Sequence, residues 1–235
     1  MKCLLCRQNK AIEFLNLGQQ PLANKYPKTE EEFKTEEFFP LAVFFCTNCK
    51  NVQLGTIVSR DRMFQDYYYL SSVNLGLVRH FEQLAKKLSS AKFVVDIGSN
   101  DGTFLNFLAN QKKKINLFGI DPSAKKFEKY YKKNINLIVN FFSFSMIKNF
   151  LIKNKIKKRD FSLISSFAMF YDVDDPNKFC KDICSLLEPN GIWILEMSYF
   201  PLLLSHLTYD QICHEHVAYY TLSSFNKIIE KNDLK

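Results

Sequence analysis

Glycine and proline are scarce, seven of each in 235 residues. That excludes collagen-like and Gly/Pro-rich disordered classes, and with 47% hydrophobic residues the chain has a globular composition. No apolar run approaches the roughly 20 residues that span a bilayer, and Met1 to Lys10 holds no signal-peptide core. No membrane partner is expected, and the expected location is the cytoplasm. Acidic residues are short as well, 24 against 32 lysines and arginines, for a net charge of +8. Such a balance can serve a nucleic-acid partner. Here the excess is lysine, gathered in Lys112–Lys114, Lys125–Lys133 and Lys153–Arg159 on expected helices and connections. It reads as a solvated face, and no nucleic-acid partner is expected.

A third glycine is also missing where a dinucleotide fingerprint would place it. In FVVDIGSNDGTFLNFL, Phe93 to Leu108, a short apolar run ends in Asp96, and Gly98 and Gly102 stand four apart before a helical pattern resumes at Phe104. Strand, glycine turn and helix start follow from this pattern. The glycines let backbone approach a ligand without a Cβ in the way. A pyrophosphate would call for GxGxxG and a bare helix N-terminus, whereas Asp96 and Asp101 repel it and suit a cationic or hydroxyl-bearing ligand. A second apolar run, Leu117 to Ile120, ends in Asp121, where a carboxylate can accept both hydroxyls of a ribose. An ordinary strand-turn-helix with turn-forming Asp and Asn is the alternative. D-I-G-S-N-D-G resembles the first motif of class I S-adenosylmethionine methyltransferases, whose cofactor carries a sulfonium and no phosphate.

From Phe93 onward strands and helices alternate: strands at 93–97, 116–120, 136–140, 161–166 and 191–197, helices at 103–110, 123–132, 144–155 and 176–187. Mostly continuous apolar strands in this order make an α/β fold with a mostly parallel, doubly covered sheet. Ligands then sit at the carboxyl ends of the strands, at Gly98, Asp121, Asn140 to Phe142 and Ser165 to Phe167. Phe141 or Phe142 can stack on an adenine or pack in the core. Leu75 to Leu88 has helical spacing and leads into this domain, with His80 on it as packing or surface.

The first 60 residues differ. Cys3 and Cys6 form one CxxC, Cys46 and Cys49 another. Two such pairs supply four thiolates for a closed, tetrahedral, structural zinc site; redox or unpaired thiols are the alternative. Leu17 to Asn24 reads as a turn, Lys28 to Glu37 as an exposed loop or short helix, and Val52 to Leu54 as a strand. The tyrosines of FQDYYYLSS, Phe64 to Ser72, are half-buried packing or a site for a polar ring at Tyr67 or Tyr69. Cys180 and Cys184 read as buried small hydrophobes.

His214, Glu215 and His216 stand together in CHEHVAYYTL. Metal binding, inert histidines and general acid/base work are all open to them, since an imidazole titrating near 6.5 can take a proton at neutral pH. In extended chain His214 and His216 would share a face.

Taken together, the two CxxC pairs, PLAN at Pro21 to Asn24, Val52-Gln53-Leu54, the tyrosines before Ser71-Ser72, VVDIGSNDGTF, GIDPS and CHEHVAYYTL resemble the sugar C-methyltransferase family, which acts on nucleotide-linked 4-keto-deoxyhexoses. The resemblance covers the whole chain. It implies a zinc-binding domain over 1–62, a tyrosine-rich helical connection over 63–90 contributing to the substrate site, and a Rossmann-like methyltransferase domain over 91–235. It implies S-adenosylmethionine held by Asp96, Gly98, Ser99, Asn100, Gly102, Asp121, Pro122, Phe142 and Ser166, with zinc on Cys3, Cys6, Cys46 and Cys49. His216 would be the base that makes an enolate next to a ketone, with Glu215, His214 and Tyr69 around the sugar and Tyr69 or solvent supporting the enolate oxygen. Cys213 and Asp172 depart from the tyrosine and histidine of sugar-acting members, which bears on the substrate. Family members also continue past the position of Lys235, so two sheet strands and a C-terminal domain are expected to be missing here. A second polypeptide would then complete the fold, or the chain would be inactive.

Overall fold

The computed structural model describes residues 1–65, 67–111, 115–156 and 160–235. Lys112–Lys114 and the last three residues of the Lys153–Arg159 run lie outside the described residues; Lys125, Lys126, Lys129, Lys132 and Lys133 are exposed. In chain order the elements are β1 (Ala11–Pro21), α1 (Glu30–Lys34), β2 (Phe38–Cys46), β3 (Val52–Leu54), α2 (Arg60–Phe64), α3 (Leu75–Lys87), β4 (Phe93–Ile97), α4 (Thr103–Gln111), β5 (Asn116–Ile120), β6 (Ile135–Ile138), α5 (Phe144–Lys153), β7 (Phe161–Phe167), α6 (Pro176–Cys184), β8 (Leu187–Glu196), α7 (Phe200–His206), β9 (Ala218–Tyr219) and α8 (Leu222–Lys231). Among them no helix is long and apolar enough to cross a membrane. Two compact units divide the chain: Met1–Gln65 with Ala168–Lys181 and Met197–Lys235, and Asp66–Phe167 with Asp182–Glu196. The division expected at residues 62 and 90 follows the linear order; the compact units interleave it.

The second unit is built on a parallel sheet in the order β6-β5-β4-β7-β8. Every residue of β4 is buried, because alternate side chains leave the strand for opposite faces and both faces are covered. Val94, in register with Leu117 and Leu163, packs with Phe81 and Ala85 of α3 and Phe104, Leu105 and Leu108 of α4. Phe93 and Phe118 have ring centres 5.0 Å apart, and Phe118 meets Phe150 of α5 edge-on at 6.3 Å. Each such ring or leucine taken from water contributes about 1.5–3 kcal/mol. Two expected elements change. The helix expected over 123–132 is a 3-10 run, Ala124–Tyr130, without a side-chain cap. The expected helix to 187 stops at Cys184, and β8 starts at Leu187. β8 is an edge strand of the sheet, with Ile192 54% exposed.

The first unit holds an antiparallel sheet, β1-β2-β3-β9. The turn expected over Leu17 to Asn24 is only partly a turn, since β1 runs on to Pro21. Irregularities after Glu13 and Asn16 absorb the mismatch, Gly18 adopts φ +72° with its N–H donating to Asn16 Oδ1, and pairing resumes at Gln19 opposite Pro40. β9 comes from far along the chain, pairing Val52 with Tyr219 and Gln53 with Ala218. Leu41, Val43, Val52, Leu54, Leu203 and Tyr219 make the core beneath.

Candidate active site

In the first unit the four Sγ atoms of Cys3, Cys6, Cys46 and Cys49 lie within 4.8 Å of one another. Cys3 and Cys49 sulfurs are 3.5 Å apart, Cys6 and Cys46 3.7 Å, while four sulfurs about 2.3 Å from one zinc ion would stand about 3.8 Å apart. The two knuckles repeat one geometry. Arg7 N–H donates to Cys3 O and Lys50 N–H to Cys46 O, and each donor residue sits at positive φ, 62° and 67°. Buried Gln53 braces the first knuckle, its Oε1 accepting from Leu4 N and Asn51 Nδ2. The donor set and spacing fit a structural zinc ion.

In the second unit the turn after β4 has three residues at positive φ: Gly98 at 72°, Asn100 at 50° and Gly102 at 74°. Its acidic side chains are already engaged. Asp101 Oδ1 caps α4 through Thr103 N and Oγ1, and its Oδ2 accepts from Ser72 N. Asn100 Oδ1 accepts from Ser71 N while its Nδ2 donates to Tyr69 O. The loop therefore pins the tyrosine-rich stretch. Tyr69 itself is 41% exposed. Asp121 Oδ1 accepts from Ser123 N and Oγ, and its Oδ2 from Asn100 N, so it keeps lone pairs for hydroxyl donors. Asp96 accepts from Ser165 Oγ at 2.7 Å; burial, with Asp121 close by, raises its carboxyl to about 7. Burial raises Asp121 too. Two buried carboxyl groups at the ends of β4 and β5 disfavour a phosphate and suit a sulfonium or a diol. Ser166 Oγ accepts from Trp193 Nε1 at 2.9 Å, while Pro122 and Phe142 are part-buried.

The three residues of the His-Glu-His run do three different things. His214 and Glu215 lie in a turn and His216 directly after it, so the run is not the extended chain that would put both histidines on one face. His214 is buried with its ring edge-on to Phe39 and Nε2 against Phe39 O. Glu215 Oε1 accepts from Asn24 N and Nδ2, and its Oε2 is buried without a hydrogen-bond partner. His216 Nδ1 lies 2.8 Å from Gln211 O. A carbonyl only accepts, so Nδ1 carries the hydrogen and Nε2 keeps its lone pair. Burial lowers the His216 pKa below its ordinary value, against the opposing pull of Gln211 O, Glu215 and Asp210. A neutral imidazole with one bare nitrogen is a base. The Tyr171 ring packs on it with centres 4.3 Å apart.

Two family models match the sequence, a zinc binding domain over residues 3–64 and a methyltransferase domain over residues 67–235. The chain belongs to the methyltransferase domain family. C-methyltransferase NovU of Streptomyces niveus is 23% identical to it over 240 aligned positions, covering 100% of this chain and 56% of NovU. The chain thus spans about half the length of the curated relative it matches. Among solved structures, plantazolicin methyltransferase BpumL, in complex with a triazolic desmethylPZN analog and SAH, superposes with a TM-score of 0.53 at 17% identity over 68% of this chain and 65% of its own. Mitomycin 7-O-methyltransferase MmcR gives 0.52 at 15% identity over 66% and 47%. At these identities the likeness is one of fold, the class I methyltransferase arrangement of a parallel sheet between helices. The zinc-domain match spans the clustered cysteines, and a structural zinc ion is assigned to them.

Sequence reasoning left several residues of this chain unread. Tyr131 OH meets Ser99 Oγ at 2.8 Å and donates to Asn100 O at 2.7 Å, holding the glycine turn from 30 residues away. A Cβ on Gly102 would meet the Tyr131 ring at 2.7 Å, and one on Gly119 would meet Ser99 Oγ at 2.8 Å. Asn24, quoted as part of PLAN, is the partner of Glu215. None of these has a local signal, because each partner is distant in sequence.

Proposed function

We propose that this chain is an S-adenosylmethionine-dependent C-methyltransferase that methylates a carbon next to a ketone of a nucleotide-linked deoxysugar. The observation that carries the reading is the His216 tautomer: Nδ1–H held by Gln211 O leaves Nε2 as a base for a C–H made acidic by a neighbouring carbonyl. When bound, S-adenosylmethionine supplies an electrophilic methyl group. Asp96, Gly98, Ser99, Asn100, Gly102, Asp121, Pro122, Phe142 and Ser166 are proposed to hold it. Asp121 would take hydroxyl donors, and the glycine turn would leave backbone within reach. Tyr69 and Glu215 are proposed to orient the sugar, and Glu215 is fixed for that task by Asn24. The resemblance to NovU, whose name records carbon methylation, supports carbon as the acceptor atom.

The test is titration calorimetry of the zinc-loaded chain with S-adenosylhomocysteine, paired with deuterium exchange at the acidic carbon of a thymidine diphosphate 4-keto-6-deoxyhexose. Replacing His216→Asn should slow exchange by about 10²–10⁴-fold, the usual contribution of a positioned base, and leave S-adenosylhomocysteine affinity unchanged. Exchange at the unaltered rate in that variant would refute the assignment. Methylation of an oxygen or nitrogen acceptor without any enolisation would point to a different methyltransferase chemistry.

A further inference from the structure

A cleft of about 390 Å³ opens in the first unit, lined by Ile57, Val58, Met63 and Val217 and by the charged residues Arg60, Asp61 and Asp172. Val217 follows the base His216, and Asp172 follows Tyr171, whose ring rests on His216. Two lining residues of the cleft are thus next in sequence to the paired rings of Tyr171 and His216. Asp172 as a whole is part-exposed, but its Oδ1 is sealed from solvent and has no hydrogen-bond partner.

The Asp172 carboxyl is buried within reach of the Glu215 charge. Their surroundings differ. Glu215 receives two N–H donors from Asn24, which stabilise negative charge on it. Asp172 has none for its sealed oxygen, and the other charged residues lining the cleft are Arg60, Asp61 and Asp174. The Cys213 thiol beside Glu215 is pushed up to about 12, by burial first and then by Glu215, so it contributes no charge. Burial and Glu215 both raise Asp172. Of two adjacent carboxyl groups, the one without donors keeps the proton.

Resting on the function proposed above, we propose that Asp172 is a neutral carboxylic acid that donates a hydrogen bond to the acceptor's carbonyl oxygen as His216 removes the neighbouring proton. In that step the C–H bond breaks and an N–H bond forms at His216 Nε2. The C–H electron pair becomes the enolate π bond, the former carbonyl pair rests on oxygen, and the Asp172 proton stays on Asp172 in a strengthened hydrogen bond. Charge develops on the oxygen where a fixed donor already waits.

The test uses the zinc-loaded full chain and the variants Asp172→Asn and Asp172→Leu. The infrared spectrum of the unaltered protein minus D172N at pH 7 should show a protonated carboxyl carbonyl band that shifts in D₂O. Absence of that band would mean an ionised Asp172 and would overturn the inference whatever the enzyme does. Deuterium exchange into thymidine diphosphate 4-keto-6-deoxyglucose should fall about 10²–10³-fold in D172L, the usual effect of losing one such donor. In D172N, which keeps an N–H donor, it should fall less than tenfold, and S-adenosylhomocysteine affinity and zinc content should hold in both variants. D172L exchanging at the unaltered rate would overturn the donor role while leaving His216 as base. No exchange by the unaltered protein, with the infrared band present, would instead bring down the acceptor assigned in the preceding section, and the donor role with it.

Discussion

Asp96 is where a single group most changes the response to pH. It is 3% exposed and its carboxyl is raised to about 7 in the folded protein, against about 3.9 unfolded. A raised carboxyl contributes stability fully present below pH 4 and lost as pH rises through 7. Asp96→Asn, which keeps an acceptor for Ser165 Oγ, should therefore gain on the unaltered protein by about 3 kcal/mol more at pH 8 than at pH 5, read as the shift in urea midpoint. A gain that does not change with pH would show that Asp96 is ionised throughout. His216 has the opposite sign. Its depressed value gives stability that is present above about 6.5 and lost as pH falls through the folded value, so the acid limb of proton abstraction should lie below that of an ordinary histidine. Asp96 was legible from the sequence because it closes an apolar run before a glycine turn. The division of labour in the His-Glu-His run was not, since Phe39, Asn24 and Gln211 decide it and lie outside the motif. The shared face of His214 and His216 was argued for extended backbone, and the chain turns at His214 and Glu215 instead.

Among elements, the glycine turn shows how two glycines of the same backbone sign carry different burdens. Gly18 in β1 and Gly102 before α4 have φ of +72° and +74°, but a Cβ on Gly18 meets nothing within 4 Å and one on Gly102 strikes the Tyr131 ring. That ring cannot swing clear without losing its bonds to Ser99 and Asn100. Gly18→Ala should cost about 1–2 kcal/mol, the penalty of left-handed backbone alone. Gly102→Ala should cost at least about 1 kcal/mol more, and Tyr131→Phe about 1–3 kcal/mol for two unmade hydrogen bonds, all measured by thermal or urea unfolding. Equal losses for the two glycine variants would mean that the Tyr131 contact carries no weight. The strands of the parallel sheet were readable almost to the residue, since strands covered on both faces are unbroken apolar runs. The 3-10 run at Ala124–Tyr130 and the early start of β8 were not, because hydrogen bonds from Ser123 to Asp121 and the pairing of Leu187 with Phe161 set them.

For the whole molecule, the zinc site and the His-Glu-His turn belong to the same compact unit, because β9 follows His216 by two residues and pairs with β3, three residues beyond Cys49. Removing the metal with a chelator should therefore expose the amides of Val52, Gln53, Ala218 and Tyr219 to hydrogen exchange together with the knuckles, while β4 and β5 stay protected. Loss confined to the knuckles would mean that the β3–β9 ladder stands without zinc. The cysteine pairs announced the metal from the sequence, since CxxC is a local pattern. The reach of the first unit into residues 168–181 and 197–235 had no local pattern to announce it.

The β3–β9 ladder also fixes an order of events during synthesis. Val52 leaves the ribosome more than 160 residues before Tyr219, its partner, so the first sheet stays one strand short while all of that chain is made, whereas each parallel pair in the second unit can close soon after its strands emerge. Contacts this distant in sequence form slowly. The strands β1 to β3 therefore wait with an open flank on β3, and the turn leading to His216 is set in place only as that wait ends.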